Sequence, residues 1–195
     1  MSELSAEALA YRARALAQAH PLTKLARRYL DWAVAGQRTS QPIPEIGIWA
    51  GSALLEGYCV RRVEEEDLGI DVSTLAVGEG PVAVGDSPVI GLPEGEQVHV
   101  TLEELDEAAA VIAADVRSGS NRSGAGAIHH DPADDERLIH ALDGIVAKQV
   151  SNRLEHWRDS VDAAAWRELE EYLTWWVVKG YALRVAETDL GVVRP

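Results

Sequence analysis

The sequence predicts an all-α fold, a helical bundle built from two pseudo-repeated helical hairpins. Three observations lead there. Apolar residues recur at helical spacing along four long segments. A Gly-Tyr-x-x-Arg-x-x-Glu segment occurs twice. Gly and Pro gather in the stretch between the two copies, around residues 70–100. A chain of 195 residues is long enough to bury a core without metals or disulfides, and a single domain, 1–195, is expected.

Residues 1–69 form the first expected hairpin. Leu4, Ala8, Tyr11, Ala15, Leu22, Leu25, Tyr29 and Trp32 follow a helical stripe, with Gln18 at its missing step. The stripe keeps phase through Pro21 and predicts one helix over 2–35, kinked at that proline, although the residue before a proline resists helical angles. Gly36 to Pro44 reads as a turn. The next helix spans 45–68, with Gly69 as a left-handed C-cap. From Ile46 to Val60 only Ser52 and Glu56 are strongly polar, so this helix is buried on several sides and central.

Residues 70–131 read as a connection. Val82–Val84 and Val98–Val100 can pair as a hairpin, or the stretch can cross the bundle as an ordered loop. An extra helix is expected over 101–117, where Thr101 and Glu104 have capping-box spacing. Residues 118–126 (SGSNRSGAG) read as a flexible linker.

Residues 132–195 form the second expected hairpin. Asp131-Pro132 opens a helix over 133–157, with Asp as N-cap and Pro at the first helical position. Leu138, Leu142, Ile145, Val146, Val150, Leu154 and Trp157 make its apolar face, with Arg153 near the middle. That arginine is expected to pair with Glu168 or Glu171, or else to line an internal cavity in a ligand-binding role. After a turn at Asp159–Asp162, a last helix runs over 163–190 and ends at Gly191.

The repeat links the hairpins. Residues 57–69 read GYCVRRVEEEDLG and residues 180–191 read GYALRVAETDLG. Glycine inside a helix costs about 1 kcal/mol relative to alanine. Its presence at the same place in both copies therefore predicts a close helix crossing at Gly57 and Gly180. Glu56 and Lys179 precede the two glycines and are expected to face each other as a structural pair that sets register. Glu64 and Glu187 end apolar stripes near helix C-termini, where the helix dipole disfavours negative charge. In one reading the last turn leaves the core and Arg61 or Arg184, three residues earlier, neutralises the acid. In the other, Tyr58, Arg61, Glu64, Tyr181, Arg184 and Glu187 form a ligand-binding site, with the arginines holding an anionic group. That site requires helices 45–68 and 163–190 to run parallel. An antiparallel pair would separate the two carboxylates.

Composition narrows function. The net charge is −14, and the basic clusters are as short as Arg27-Arg28 and Arg61-Arg62, so neither nucleic acid nor an anionic membrane is an expected partner. Cys59 is the only cysteine, which excludes an intrachain disulfide and multi-Cys zinc motifs; it reads as a small buried hydrophobe. Met1–Ala10 lacks the basic start and apolar run of a signal peptide, no long apolar run suits a membrane span, and a cytoplasmic location is expected. A di-iron bundle would need Glu-x-x-His, which the chain lacks. His129, His130, Asp131, Asp134, Asp135, Glu136 and His140 offer cation ligands but read first as an exposed acidic helix start. Metal binding stays open. Phosphate-loop, dinucleotide and nucleophile-elbow motifs are absent. No catalytic residue is assigned and no cofactor is implied. The expectation is a non-enzymatic binding or regulatory protein working through a protein partner or as a homodimer; Trp175 points nearly opposite the core face of its helix, where either the helix over 101–117 or a partner subunit covers it. The alternative is an enzyme or small-ligand-binding bundle using the repeated Tyr, Arg and Glu residues.

Overall fold

The computed structural model describes residues 4–19, 22–40, 45–69, 73–74, 76–77, 89–91, 97–118, 132–157 and 162–194. Helix α1 (Ala6–Gln18) starts at Ser5, whose side-chain oxygen accepts from the Ala8 N–H at 3.2 Å. Helix α2 spans Lys24–Ser40. The single kinked helix expected over 2–35 is therefore two helices. A proline has no N–H to give the ladder, and its neighbour resists helical angles. Two residues later Thr23 supplies a fresh start: its Oγ1 accepts from the Ala26 N–H at 3.0 Å and its carbonyl from the Arg27 N–H at 2.9 Å. The predicted stripe describes the core face only on α2, where Leu25 and Tyr29 are buried; on α1 its members Tyr11, Ala15 and Gln18 are exposed, and Leu9, Ala10, Ala13 and Ala17 face the core instead. Helix α2 continues through Gly36, so the turn expected at 36–44 starts later than its composition suggests, and its remaining residues 41–44 lie outside the described residues.

Helix α3 (Glu45–Asp67) is buried around most of its circumference. Helix α4 (Leu102–Ser118) opens with the expected capping box: the Glu104 N–H donates to Thr101 Oγ1 at 3.0 Å and the Thr101 N–H to Glu104 Oε2 at 2.8 Å. Helix α5 covers Pro132–Trp157. Helix α6 (Ala163–Asp189) is capped by Asp162, whose Oδ1 accepts from the Ala164 and Ala165 N–H groups at 3.0 and 2.9 Å. Gly69 after α3 and Gly191 after α6 have φ of +69° and +73°, the left-handed conformation that glycine adopts without steric cost.

The α3–α6 pair makes the largest interface. Helices α1 and α2 lie on α3, α4 lies on α6, and α5 packs against α1, α3 and α6. The all-α bundle read from the sequence is thus the fold, with α3 and α6 at its centre.

Short strands sit in the connection. β1 (Ser73–Thr74) pairs antiparallel with β5 (Val193–Arg194). β2 (Ala76–Val77), β3 (Val89–Gly91) and β4 (Gln97–His99) form a three-stranded antiparallel sheet in the order β2-β3-β4. The segment 97–99 therefore pairs with 89–91, while Val82–Val84 lies outside the described residues. Residues 119–126 of the expected linker, His129, His130, Asp131 and residues 159–161 of the last turn also lie outside them. Among the described residues no helix is long and apolar enough to cross a membrane.

Candidate functional site at the α3–α6 crossing

The two glycines make the crossing possible. A Cβ added to Gly57 would sit 1.8 Å from the Val177 carbonyl oxygen, and one added to Gly180 would sit 1.9 Å from the Leu54 carbonyl oxygen. Val177 lies three residues before Gly180 and Leu54 three before Gly57, so each helix lays its glycine on the same turn of the other. Contacts advance together along both helices, from Leu54 with Gly180 to Glu65 with Arg184, so α3 and α6 run parallel.

The parallel arrangement brings all six ligand-site candidates into one cluster on the C-terminal side of the crossing. Tyr58 Oη donates to Glu187 Oε2 at 2.7 Å, and Tyr181 Oη donates to Glu64 Oε2 at 2.8 Å. Arg184 Nη1 donates to Glu187 Oε2 at 3.3 Å and to Tyr58 Oη at 3.2 Å. Arg61 Nη1 likewise reaches Glu64 Oε2 and Tyr181 Oη, each at 3.5 Å. Every tyrosine and arginine of one copy thus meets the other copy, and the pattern is reciprocal.

Two members of the cluster escaped the sequence reading. Glu65 accepts from Arg184 Nε at 3.1 Å and Nη2 at 2.9 Å, a forked pair, with Arg62 Nη1 3.9 Å away at the rim. Thr23 donates its hydroxyl to Glu187 Oε1. Glu65 breaks the reciprocity, because Thr188 holds its place in the second copy. A threonine placed to cap a helix after Pro21 was a signal for Thr23; Glu65, inside the charged run of residues 61–67, carried none.

The cluster is sealed. Arg184 and Glu187 are 0% exposed, Glu65 2% and Arg61 5%. The expected neutralisation of Glu64 and Glu187 by Arg61 and Arg184 is present, yet the last helical turns do not leave the core as that reading supposed. Removing a charge from water costs several kcal/mol, offset only by close, saturated pairing. Here three carboxylates share two buried guanidiniums. Burial pushes the Glu187 carboxyl above its ordinary range, against the pull of Arg184, Thr23 and Tyr58. Burial, then the Glu187 charge, raises the Tyr58 phenol as well, so it stays a neutral donor. Burial opposes the Arg184 charge, but the hydrogen-bonded Glu65 and the Glu187 carboxylate outweigh it and hold the guanidinium charged.

Glu56 and Lys179 do not form the expected pair. Lys179 Nζ lies 2.9 Å from Asp106 Oδ1, donates to the Asp106 carbonyl at 3.1 Å and stands 5.2 Å from the centre of the Trp175 ring. Glu56 lies beside Gln149 and Ser52, with Arg14 and Arg153 as its favourable charges; burial still pushes its carboxyl above the ordinary range. Position decides this. One residue before a contact glycine is a rotation of about 100° away from the contact line. On α6 that flank meets α4, and on α3 it meets α1 and α5. Arg153 stacks 5.0 Å over the Trp49 ring and donates to the Gln149 carbonyl at 2.8 Å; both expected partners, Glu168 and Glu171, are exposed.

Among the described residues no group of three or more His, Cys, Asp or Glu is arranged to hold a metal. Glu136 and His140 stand 3.6 Å apart on the exposed face of α5. Cys59 is fully buried, and burial pushes its thiol up to about 12, far from a nucleophile's range. Two accessible concavities lie elsewhere. One, of about 520 Å³, is walled by Tyr29, Trp32, Trp175, Trp176 and Asp106. Another, of about 870 Å³, lies between α1, α2, α3 and α5. Neither is lined by a residue of the buried cluster. The chain matches no protein-family model, no curated protein and no solved structure.

Proposed function

We propose that this chain is a non-enzymatic binding or regulatory protein that acts through protein–protein contacts as a homodimer in the cytoplasm. The observation carrying this reading is the closure of the Tyr58–Arg61–Glu64–Tyr181–Arg184–Glu187 cluster. Its tyrosine and arginine side chains hydrogen-bond its own carboxylates, and its arginines and Glu187 are almost wholly removed from solvent. A catalytic or ligand-binding site needs groups that a substrate can reach. These groups instead fix one register between α3 and α6, the best-attested role of buried polar networks. The reciprocal contacts also support descent of segments 57–69 and 180–191 from one ancestral helix end.

The contact surface in this reading is the outer face of α6. Trp175 is 37% exposed, packs edge-on against Trp176 with ring centres 4.7 Å apart, and borders the aromatic concavity. Tryptophan is enriched at the energetic centres of interfaces. Sedimentation of the purified chain tests the proposal. A dimer that Trp175→Glu converts into a folded monomer is the expected result. A monomeric wild-type chain at high concentration, or a dimer indifferent to Trp175→Glu, overturns it.

A further inference from the structure

The concavity between α1, α2, α3 and α5 inverts the charge of the protein around it. The whole chain has 18 Lys and Arg against 32 Asp and Glu. The walls of this cleft carry Arg14, Arg27 and Lys148 against the single carboxylate of Glu56. Like-charged arginine and lysine side chains drawn from three helices concentrate a positive potential in a partly enclosed space, which favours an anion. The rest of the wall mixes Gln18, Ser52 and Asn152 with apolar side chains, Leu30 and Leu55 inside it and Tyr11 and Ile48 at its mouth. Tyr11 and Ile48 are 69% and 59% exposed, the two most solvent-exposed large apolar side chains along the cleft. A cleft of about 870 Å³ that combines apolar side chains with a few charged ones has the size of a small-molecule site.

Glu56 restricts the choice of anion. Its carboxylate already draws on Arg14 and Arg153, so part of the positive field is spent inside the protein. A compact head with one negative charge gains the remaining attraction, whereas a doubly charged head meets more repulsion from Glu56. An apolar body on that head would cover Ile48 and Tyr11 and remove their surface from water.

We propose that this cleft binds a small organic carboxylate with an apolar body, its head held by Arg14 and Lys148 and its body lying along Leu30, Ile48 and Leu55. The site is separate from the α6 surface and from the buried cluster, so its failure leaves the dimer reading untouched.

An NMR titration of the ¹⁵N-labelled full chain with sodium octanoate, kept below its micelle-forming concentration, tests it. Saturable shifts of the Ala15, Gly51, Ser52 and Leu55 amides are expected. Lys148 is exposed, so Lys148→Ala should fold normally; it and Arg14→Ala should each weaken octanoate by about tenfold, the loss of one charge-assisted contact. Octanol, with the same body and no charge, should bind about tenfold more weakly, and octyl phosphate should bind more weakly than octanoate. The absence of shifts, shifts confined to other surfaces, octanol binding as well as octanoate, or affinity unchanged in Lys148→Ala would overturn the proposal. Tighter binding of octyl phosphate would overturn the carboxylate assignment.

Discussion

Gly180→Ala places a methyl group 1.9 Å from the Leu54 carbonyl oxygen. Ordinary carbon contacts lie near 3.5–4.0 Å, so the helices must separate by roughly 1.5 Å at the crossing. The clashing atom belongs to the backbone of α3 and has no rotamer to escape into. Overpacking of a core costs about 1–3 kcal/mol, and a backbone obstacle belongs at the upper end. Alanine recovers about 1 kcal/mol of helix propensity. The net loss is about 2 kcal/mol, which for a chain of this size lowers Tm by about 4–8 °C. Gly144 supplies the control: it lies within α5, is exposed, and an added Cβ there meets nothing within 4 Å. Gly144→Ala should stabilise by up to about 1 kcal/mol. Denaturant unfolding followed by far-UV circular dichroism measures all three proteins. The reasoning is refuted if Gly180→Ala is as stable as wild type while Gly144→Ala gains.

Other consequences follow from the same geometry. Arg184→Met leaves Glu65 and Glu187 buried without their guanidinium and should cost about 3–5 kcal/mol in denaturant unfolding; a loss under about 1 kcal/mol would show that solvent reaches the cluster. Glu187 has a folded-state pKa raised above its ordinary 4.5, so the folded protein binds this proton more readily than the unfolded chain. Its contribution therefore lowers stability as pH rises from that ordinary value through the raised one, and Glu187→Gln should remove this component. The stability difference between Glu187→Gln and wild type should grow in the variant's favour from acid toward neutral pH; a difference that is flat or reversed contradicts the raised value. Asp162→Ala removes the cap that holds two N–H groups of α6 and should cost about 1 kcal/mol by thermal unfolding.

Much of this structure could be read from residue spacing, because helical stripes and glycine notches are local signals. The boundaries of α3, α4, α5 and α6 follow from capping residues and apolar runs. Gly57 and Gly180 announced a close crossing through the cost of glycine inside a helix. The break between α1 and α2 was hidden, because Tyr11 and Ala15 continue the helical spacing of α2 in the sequence although another face of α1 is buried. The partners of Glu56 and Lys179 were illegible for a different reason. Their positions along the chain are equivalent, but which helix covers each flank depends on how the chain is routed between α3 and α6. Glu65 and Thr23 entered the cluster through burial, a property of the assembled bundle that adjacent residues do not encode. The parallel direction of α3 and α6, left open by a long connection, is what joins the two halves of the motif.

A double-mutant cycle between Tyr58 and Glu187 probes that parallel crossing most directly. Tyr58→Phe, Glu187→Gln and the double variant are compared by denaturant unfolding. Contact across 2.7 Å predicts an interaction energy of about 1 kcal/mol or more between residues 129 positions apart. Effects that add to within about 0.5 kcal/mol would place the two side chains apart and contradict the crossing.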